Sequence, residues 1–191
     1  MHPSRRSGLS AKYSILLASI LCALGFILNS FFEIPIFLDY YFLIGLSAAW
    51  FALFFMRGWW SVVVSIPAAL ATIPLFGHPF SAILFVIQFF VVTWIYRNKM
   101  SDDAVESGHV VFLAILYALF VHGPLYFLAH YYIVGLPFEI AKLVSFKAVL
   151  NSNICVLLAY FVFVVLKLLS GGRSKYKPNS VSVSGLVFLS S

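Results

Sequence analysis

Charged residues are scarce in this sequence: Asp, Glu, Lys and Arg make up 9% of its 191 residues, whereas 63% are hydrophobic. A soluble domain carries about 25% charged residues and roughly half apolar ones. A water-soluble fold of this length could not bury so much apolar surface. The composition therefore excludes an ordinary soluble domain and indicates an integral membrane protein, with one domain expected at this length.

Cysteine and catalytic motifs are also scarce. Cys22 and Cys155 both lie inside apolar runs, which excludes a disulfide-stapled scaffold. The sequence has no phosphate-binding loop, nucleophile elbow, His-Glu-x-x-His motif or nucleotide fingerprint, and no His/Cys cluster with metal-ligand spacing. We therefore expect no catalytic residue, no metal and no cofactor, and a membrane enzyme is the least favoured class.

Six apolar stretches approach or exceed the length needed to cross a bilayer, which is about 20 residues. Turns rich in Gly, Pro or charge separate them. The third stretch is expected to bend near Pro67 and Pro74, and the fifth at His122-Gly123-Pro124. The predicted fold class is an all-α integral membrane protein, a six-helix transmembrane bundle. Its predicted spans are residues 13–30, 41–56, 59–76, 80–96, 110–133 and 138–169.

Basic residues determine the predicted orientation. With the N-terminus inside, cytoplasmic segments receive ten of the twelve Lys and Arg residues, and the outer loops receive Glu33, Asp39 and Glu139 but no base. By the positive-inside rule, both the N- and C-termini are expected in the cytoplasm. The same rule explains the net charge of +6 better than a nucleic-acid surface does.

Two lysines fall outside this pattern. Lys142 lies one turn past Glu139 and can extend its ammonium group to the outer surface. Lys147 lies about 12 Å along the helix from Glu139, and Asn151 shares its face. A lysine at that depth costs a few kcal/mol unless it faces protein, water or a counter-charge. We favour a pocket lysine beside Asn151; the alternative is a lysine that reaches the outer headgroups.

Three further polar residues are candidates for the same pocket. Gln88, in the middle of the fourth span, either contacts a ligand or hydrogen-bonds neighbouring helices. His78, in the Gly77-His78-Pro79 turn, either covers a cavity or is an ordinary loop residue. Asp39 is either a pocket acceptor or a hydrated loop acid. In the fifth span, a polar stripe is predicted by the i, i+4, i+8 spacing of His122, Tyr126 and His130.

Small residues recur every four positions on the first span, at Ser14, Ala18 and Cys22. A face of this kind allows two helices to approach closely. It either packs inside the bundle or docks another membrane subunit, and the sequence does not choose between these.

Three short motifs resemble the bacterial vitamin-uptake-like membrane sensor module: Ile34 to Gly45, Pro74 to Ile83 with Arg97, and Lys147-Ala148-Val149-Leu150-Asn151. That module is similar to the six-helix substrate-binding subunits of energy-coupling-factor vitamin transporters. The resemblance covers residues 13–169. By position, the family's polar residues are matched by Asp39, His78, Lys147 and Asn151. Gln88 stands where the family has a glutamate, and Cys155 where it has an asparagine.

The resemblance implies a sensory input domain in a bacterial cytoplasmic membrane. The domain would bind a small molecule, anionic or vitamin-like, from the outer side. It would pass the signal through the last helix to a cytoplasmic signalling output, alone or as a homodimer, with no nucleic-acid partner. The ligand-binding residues implied by the resemblance and the spacing are Asp39, His78, Gln88, Lys147 and Asn151.

The alternative function is the substrate-binding subunit of an energy-coupling-factor vitamin transporter, which would need a free small-residue face for its membrane partner. Residues 1–12 are expected to form a cytoplasmic N-terminal segment, residues 13–169 the membrane domain and residues 170–191 a basic cytoplasmic tail. The tail is too short for an output domain, so we expect either a truncated linker or the end of a stand-alone sensor.

The orientation predicts the location of two reporters. Fusions placed after Ser170 and within Asp102–Ser107 should both report a cytoplasmic position, because ten of the twelve basic residues lie on that side. A signal from the opposite side at either position would contradict the orientation and the outer pocket that depends on it.

Overall fold

The computed structural model describes residues 11–37, 40–56, 59–100, 104–105 and 108–169. Asp39, most of the predicted N-terminal segment and the predicted tail at residues 170–191 lie outside the described residues.

Four helices are long and apolar enough to cross a membrane. At 1.5 Å per residue they are about 30 Å long or longer, the thickness of a bilayer's hydrocarbon core. Large apolar side chains cover their outward faces, as at Leu24, Phe90, Phe120 and Phe161. The chain is therefore a multi-pass membrane protein, and the first, fourth, fifth and sixth predicted helices are confirmed. The four helices are α1 (Ala11–Phe31), α5 (Phe80–Lys99), the continuous helix His109–Ile133 and α8 (Phe138–Leu169).

The second predicted span is wrong over its first third. Strands β1 (Glu33–Phe37) and β2 (Tyr40–Leu43) form an antiparallel hairpin there, and helix α2 (Ser47–Phe55) begins only after it. The aromatic residues of Tyr40–Leu43 are typical of strands, although the segment is apolar enough to have been predicted as part of a transmembrane helix. Because α2 is only about 14 Å long, it cannot cross a bilayer by itself. Six complete crossings therefore remain a prediction.

The third predicted span is divided in two. Helix α3 (Trp60–Leu70) and helix α4 (Thr72–Phe76) are separated at Ala71. Pro74 lacks the N–H that would bond the Leu70 carbonyl, so the α-helical ladder is interrupted there. The interruption lies close to Pro74, whereas α3 continues through Pro67.

The helix His109–Ile133 is distorted twice. It consists of α6 (His109–Tyr117), a π-helical turn (Ala118–His122), α7 (Gly123–Leu128) and a second π-helical turn (Ala129–Ile133). Pro124 removes one backbone donor, and the Ser145 hydroxyl of α8 donates to the Gly123 carbonyl at 2.6 Å. Irregular helical hydrogen bonding thus occurs at His122-Gly123-Pro124, where the bend was predicted.

The small-residue face of α1 packs inside the bundle, against α3. Ala18 and Gly25 are buried, and the Cys22 thiol donates to the Val63 carbonyl across 4.0 Å. A Cβ atom at Gly25 would lie 3.1 Å from the Cβ of Ala68. The described residues of α3 therefore occupy the face that a partner subunit would need.

Asn29 joins three elements at the end of α1. Its side chain is 1% exposed; its Nδ2 donates to the Ala68 carbonyl at 2.8 Å, and its Oδ1 accepts from the Gly45 N–H at 2.6 Å. A Cβ atom at Gly45 would overlap the Gly25 carbonyl oxygen and Asn29 Oδ1. Glycine at position 45 therefore lets the β2–α2 connection lie directly against α1.

The contact at Gly45 predicts a large difference between two glycine variants. Gly45→Ala should destabilise the protein by about 1–3 kcal/mol, because its methyl group meets a backbone oxygen that cannot rotate away. Gly25→Ala should cost clearly less, since the nearest atoms would lie 3.1 Å away. Thermal unfolding of both variants in the same detergent checks this, and equal losses would contradict the close approach.

Candidate ligand-binding site

A cavity of about 210 Å³ lies where β2, the α4–α5 turn, the end of the helix His109–Ile133 and α8 meet. It collects residues that are far apart in the sequence. Three of the five predicted ligand-binding residues, His78, Lys147 and Asn151, line it together. Gln88 is not among its lining residues, and Asp39 lies outside the described part of the chain.

The side-chain amide of Asn151 pairs with both backbone groups of Leu43, as a neighbouring β-strand would. Its Oδ1 accepts from the Leu43 N–H at 2.8 Å, and its Nδ2 donates to the Leu43 carbonyl at 3.1 Å. The Cys155 thiol, one turn further along α8, donates to the same carbonyl at 3.2 Å. The end of β2 is thereby fixed to α8, and Leu43 forms part of the cavity wall.

This pairing lies deep along α8. Asn151 is about 20 Å from the start of the helix at 1.5 Å per residue, so Leu43 reaches the same depth. Non-helical backbone at membrane depth is tolerated where it is buried in protein or lines a cavity. Both conditions hold at Leu43, which is 2% exposed and lines the cavity.

Lys147 places a positive charge at the cavity wall. It projects from α8 one turn before Asn151, and its Nζ lies 5.3 Å from the centre of the Phe76 ring. An ammonium group over an aromatic face gains cation–π attraction, which strengthens when water is excluded. The half-buried lysine thus lies beside the Phe76 ring at the end of α4.

Two imidazoles of the cavity wall are in edge-to-face contact. The ring centres of His78 and His130 are 5.0 Å apart with the planes 71° from parallel. His130 Nδ1 hydrogen-bonds the Tyr126 carbonyl at 2.8 Å, and its ring stacks on Tyr126 at 4.4 Å. His78 Nδ1 is buried and has no partner among the described residues. Burial lowers the pKa of His78 below its ordinary 6.5, so this ring is neutral at neutral pH.

Gln88 links two helices beside the cavity. It is 1% exposed, and its Nε2 donates to the Ser152 hydroxyl of α8 at 2.6 Å. Its Oε1 is buried without a partner among the described residues. Between the two roles that the sequence allowed for Gln88, this geometry favours joining α5 to α8.

The sequence-based prediction missed the apolar and aromatic lining. Phe76, Phe85 and Leu43 belong to the cavity wall, and so do Tyr126 and His130 of the predicted polar stripe. The i, i+4, i+8 spacing of the stripe was the sequence signal for Tyr126 and His130. Nothing in the sequence distinguishes Phe76 and Phe85 from the many phenylalanines that face outward.

No protein-family model matches the chain, and no curated protein or solved structure matches it either.

The paired amide predicts that Asn151→Ala is strongly destabilising. The substitution leaves the Leu43 N–H without its partner and removes one donor from the Leu43 carbonyl, at about 1–3 kcal/mol for a buried unpaired group. Asn153→Ala is a matched control two residues away, because Asn153 Oδ1 has no partner among the described residues. Thermal unfolding in detergent measures both losses. Similar losses would mean that the Asn151–Leu43 pairing is not formed.

Proposed function

We propose that this chain is a membrane-embedded sensory input domain that binds a small molecule in the cavity from the outer side. The observation that carries the proposal is the meeting of His78, Lys147 and Asn151, from two separate elements, at one cavity wall. A few convergent polar groups in an otherwise apolar pocket are typical of small-molecule sites. Lys147 and the half-buried His78 would contact the ligand, while Asn151 holds the wall in place.

Helix α8 connects the cavity to the opposite end of the bundle. It runs without interruption from Phe138 to Leu169. Near its end, Phe163 packs on Phe54 and Phe55 of α2, with ring centres 5.9 and 5.0 Å apart. A ligand that moves Lys147 or Leu43 would therefore act on both α8 and α2. Binding can shift an equilibrium between two arrangements of these packed helices.

The packing of α1 favours sensing over transport. A transporter subunit would need the face of Ala18 and Cys22 for its membrane partner, and α3 covers that face. The transporter alternative would require α1 to separate from α3 and expose Gly25 and Asn29 to the partner. The sensory proposal requires no such separation.

The proposed role of Lys147 predicts a loss of binding without a loss of insertion. A small molecule that copurifies with the detergent-extracted protein should be identifiable by mass spectrometry and should raise the unfolding temperature. Lys147→Leu should insert normally but lose this ligand, because the substitution removes the charge at the wall. Lys142→Leu is the matched control, since Lys142 pairs with Glu139 at 2.7 Å and does not line the cavity.

Two results would contradict the proposal. Retention of the ligand by Lys147→Leu would place the binding site elsewhere. Equal loss in both lysine variants would mean that general surface charge, and not the cavity, determines binding.

A further inference from the structure

We infer that two copies of this chain associate in the membrane through the outward face of α8, with the Asn153 amides of the two copies hydrogen-bonded to each other. The inference concerns a different face of α8 from the one that borders the cavity. It does not depend on the cavity or on a ligand, so it can fail while the proposed function holds.

Asn153 lies at the centre of a transmembrane helix. It is midway along α8, about 22–24 Å from either end at 1.5 Å per residue. Its Oδ1 atom is buried and has no hydrogen-bond partner among the described residues. A polar group in this position costs free energy unless it is hydrogen-bonded, and the core of a bilayer supplies no water to bond it. A protein group from outside the single chain can provide the missing partner.

The position of Asn153 around the helix separates it from the cavity. Successive residues of an α-helix are rotated by about 100°, so Asn153 lies about 160° around the axis from Asn151. Asn151 bonds Leu43 and lines the cavity. The end of β2 is therefore on the opposite side of α8 from Asn153.

The residues around Asn153 form a seam suited to another helix. They follow a 4-3-4 spacing, with which two helices pack side by side at a small crossing angle; they are Phe146, Leu150, Asn153 and Leu157. The three apolar members are 61%, 43% and 49% exposed. A single asparagine in such a seam fixes the register of two helices. Lipid chains would cover the apolar members but cannot hydrogen-bond Asn153.

A groove beside the seam provides room for the side chains of a partner helix. It lies between α8 and the helix His109–Ile133 and has a volume of about 530 Å³. Leu119, Phe146, Leu150 and Asn153 are among the residues that border it. The terminal torsion of an asparagine side chain has broad minima. Rotation about this torsion therefore presents either the oxygen or the nitrogen of Asn153 to the groove.

A second copy of the chain matches Asn153 in both depth and chemistry. All copies insert with one orientation, because the positive-inside rule acts on each of them equally. A two-fold axis along the membrane normal then brings the two Asn153 residues to the same level. An amide has both a donor and an acceptor, so it is complementary to itself. The pairing gives each Oδ1 the donor that the single chain does not provide.

Association in liposomes tests the role of the amide. The full chain, labelled with donor and acceptor fluorophores, should show energy transfer that rises with the protein-to-lipid ratio and saturates as a dimer. Asn153→Ala should weaken the dimer by about threefold to thirtyfold, the range expected for interhelical hydrogen bonds in a bilayer. Asn153→Gln keeps an amide and should retain most of the association. Ile20→Ala, on the outward face of α1, is the control that should leave it unchanged.

Cysteine cross-linking locates the interface. In a Cys22→Ala background, Leu150→Cys should form a disulfide between copies under mild oxidation, whereas Leu24→Cys on α1 should not. Both positions are exposed in the single chain, at 43% and 44%. The remaining Cys155 is fully buried and should not react. Thermal unfolding in dilute detergent, where the chain is monomeric, should be nearly the same for the native protein and Asn153→Ala.

Four results would overturn the inference. They are a monomer at every protein-to-lipid ratio, an unchanged dimer in Asn153→Ala, equal weakening by Asn153→Ala and Asn153→Gln, and cross-linking from Leu24→Cys as efficient as from Leu150→Cys. A monomer that still binds its copurified molecule through Lys147 would leave the proposed function intact.

Discussion

The pairing of the Asn151 amide with the backbone of Leu43 is the interaction on which the rest of the site depends. It satisfies a non-helical stretch of backbone inside the bundle, where an unpaired buried group costs about 1–3 kcal/mol. With that stretch fixed, β2 ends inside the protein, α2 starts late, and a space remains between β2, α4 and α8. Asn29 and Gly45 hold the same connection from the side of α1. The cavity therefore exists because the chain is not helical from β2 to the start of α2.

The long helices were predictable and the hairpin was not. A bilayer requires about 20 apolar residues per helix, so α1, α5, the helix His109–Ile133 and α8 follow from apolar length alone. The stretch Tyr40–Leu43 is equally apolar, and its aromatic residues favour a strand without excluding a helix. The residues that decide it are remote, since Leu43 and Asn151 are 108 positions apart. The break after α3, by contrast, has a local cause, since Pro74 lacks the N–H that would bond the Leu70 carbonyl.

Some residues of the candidate site were likewise predictable from the sequence, and others were not. Lys147 was predictable because a charged residue inside an apolar run costs free energy unless protein, water or a counter-charge compensates for it. His78 was predicted from its turn and from the resemblance motif Pro74 to Ile83. That Asn151 fixes the cavity wall was not predictable, because its partner is the backbone of a distant segment. Asp39 lies outside the described residues, so its part in the site stays a prediction. The rings of Phe76, His78 and Tyr126 come together only after α4 and the α4–α5 turn have packed against the helix His109–Ile133.

The central claim is that this cavity is a ligand-binding site formed around Leu43, His78 and Lys147. The most direct measurement is an experimental structure of the protein extracted in mild detergent with its copurified molecule retained. The account predicts density for a small molecule between the Lys147 ammonium group and the His78 and Tyr126 rings, with the Asn151–Leu43 pairing intact. A cavity occupied by a lipid chain or collapsed, with ligand density elsewhere in the protein, would contradict it.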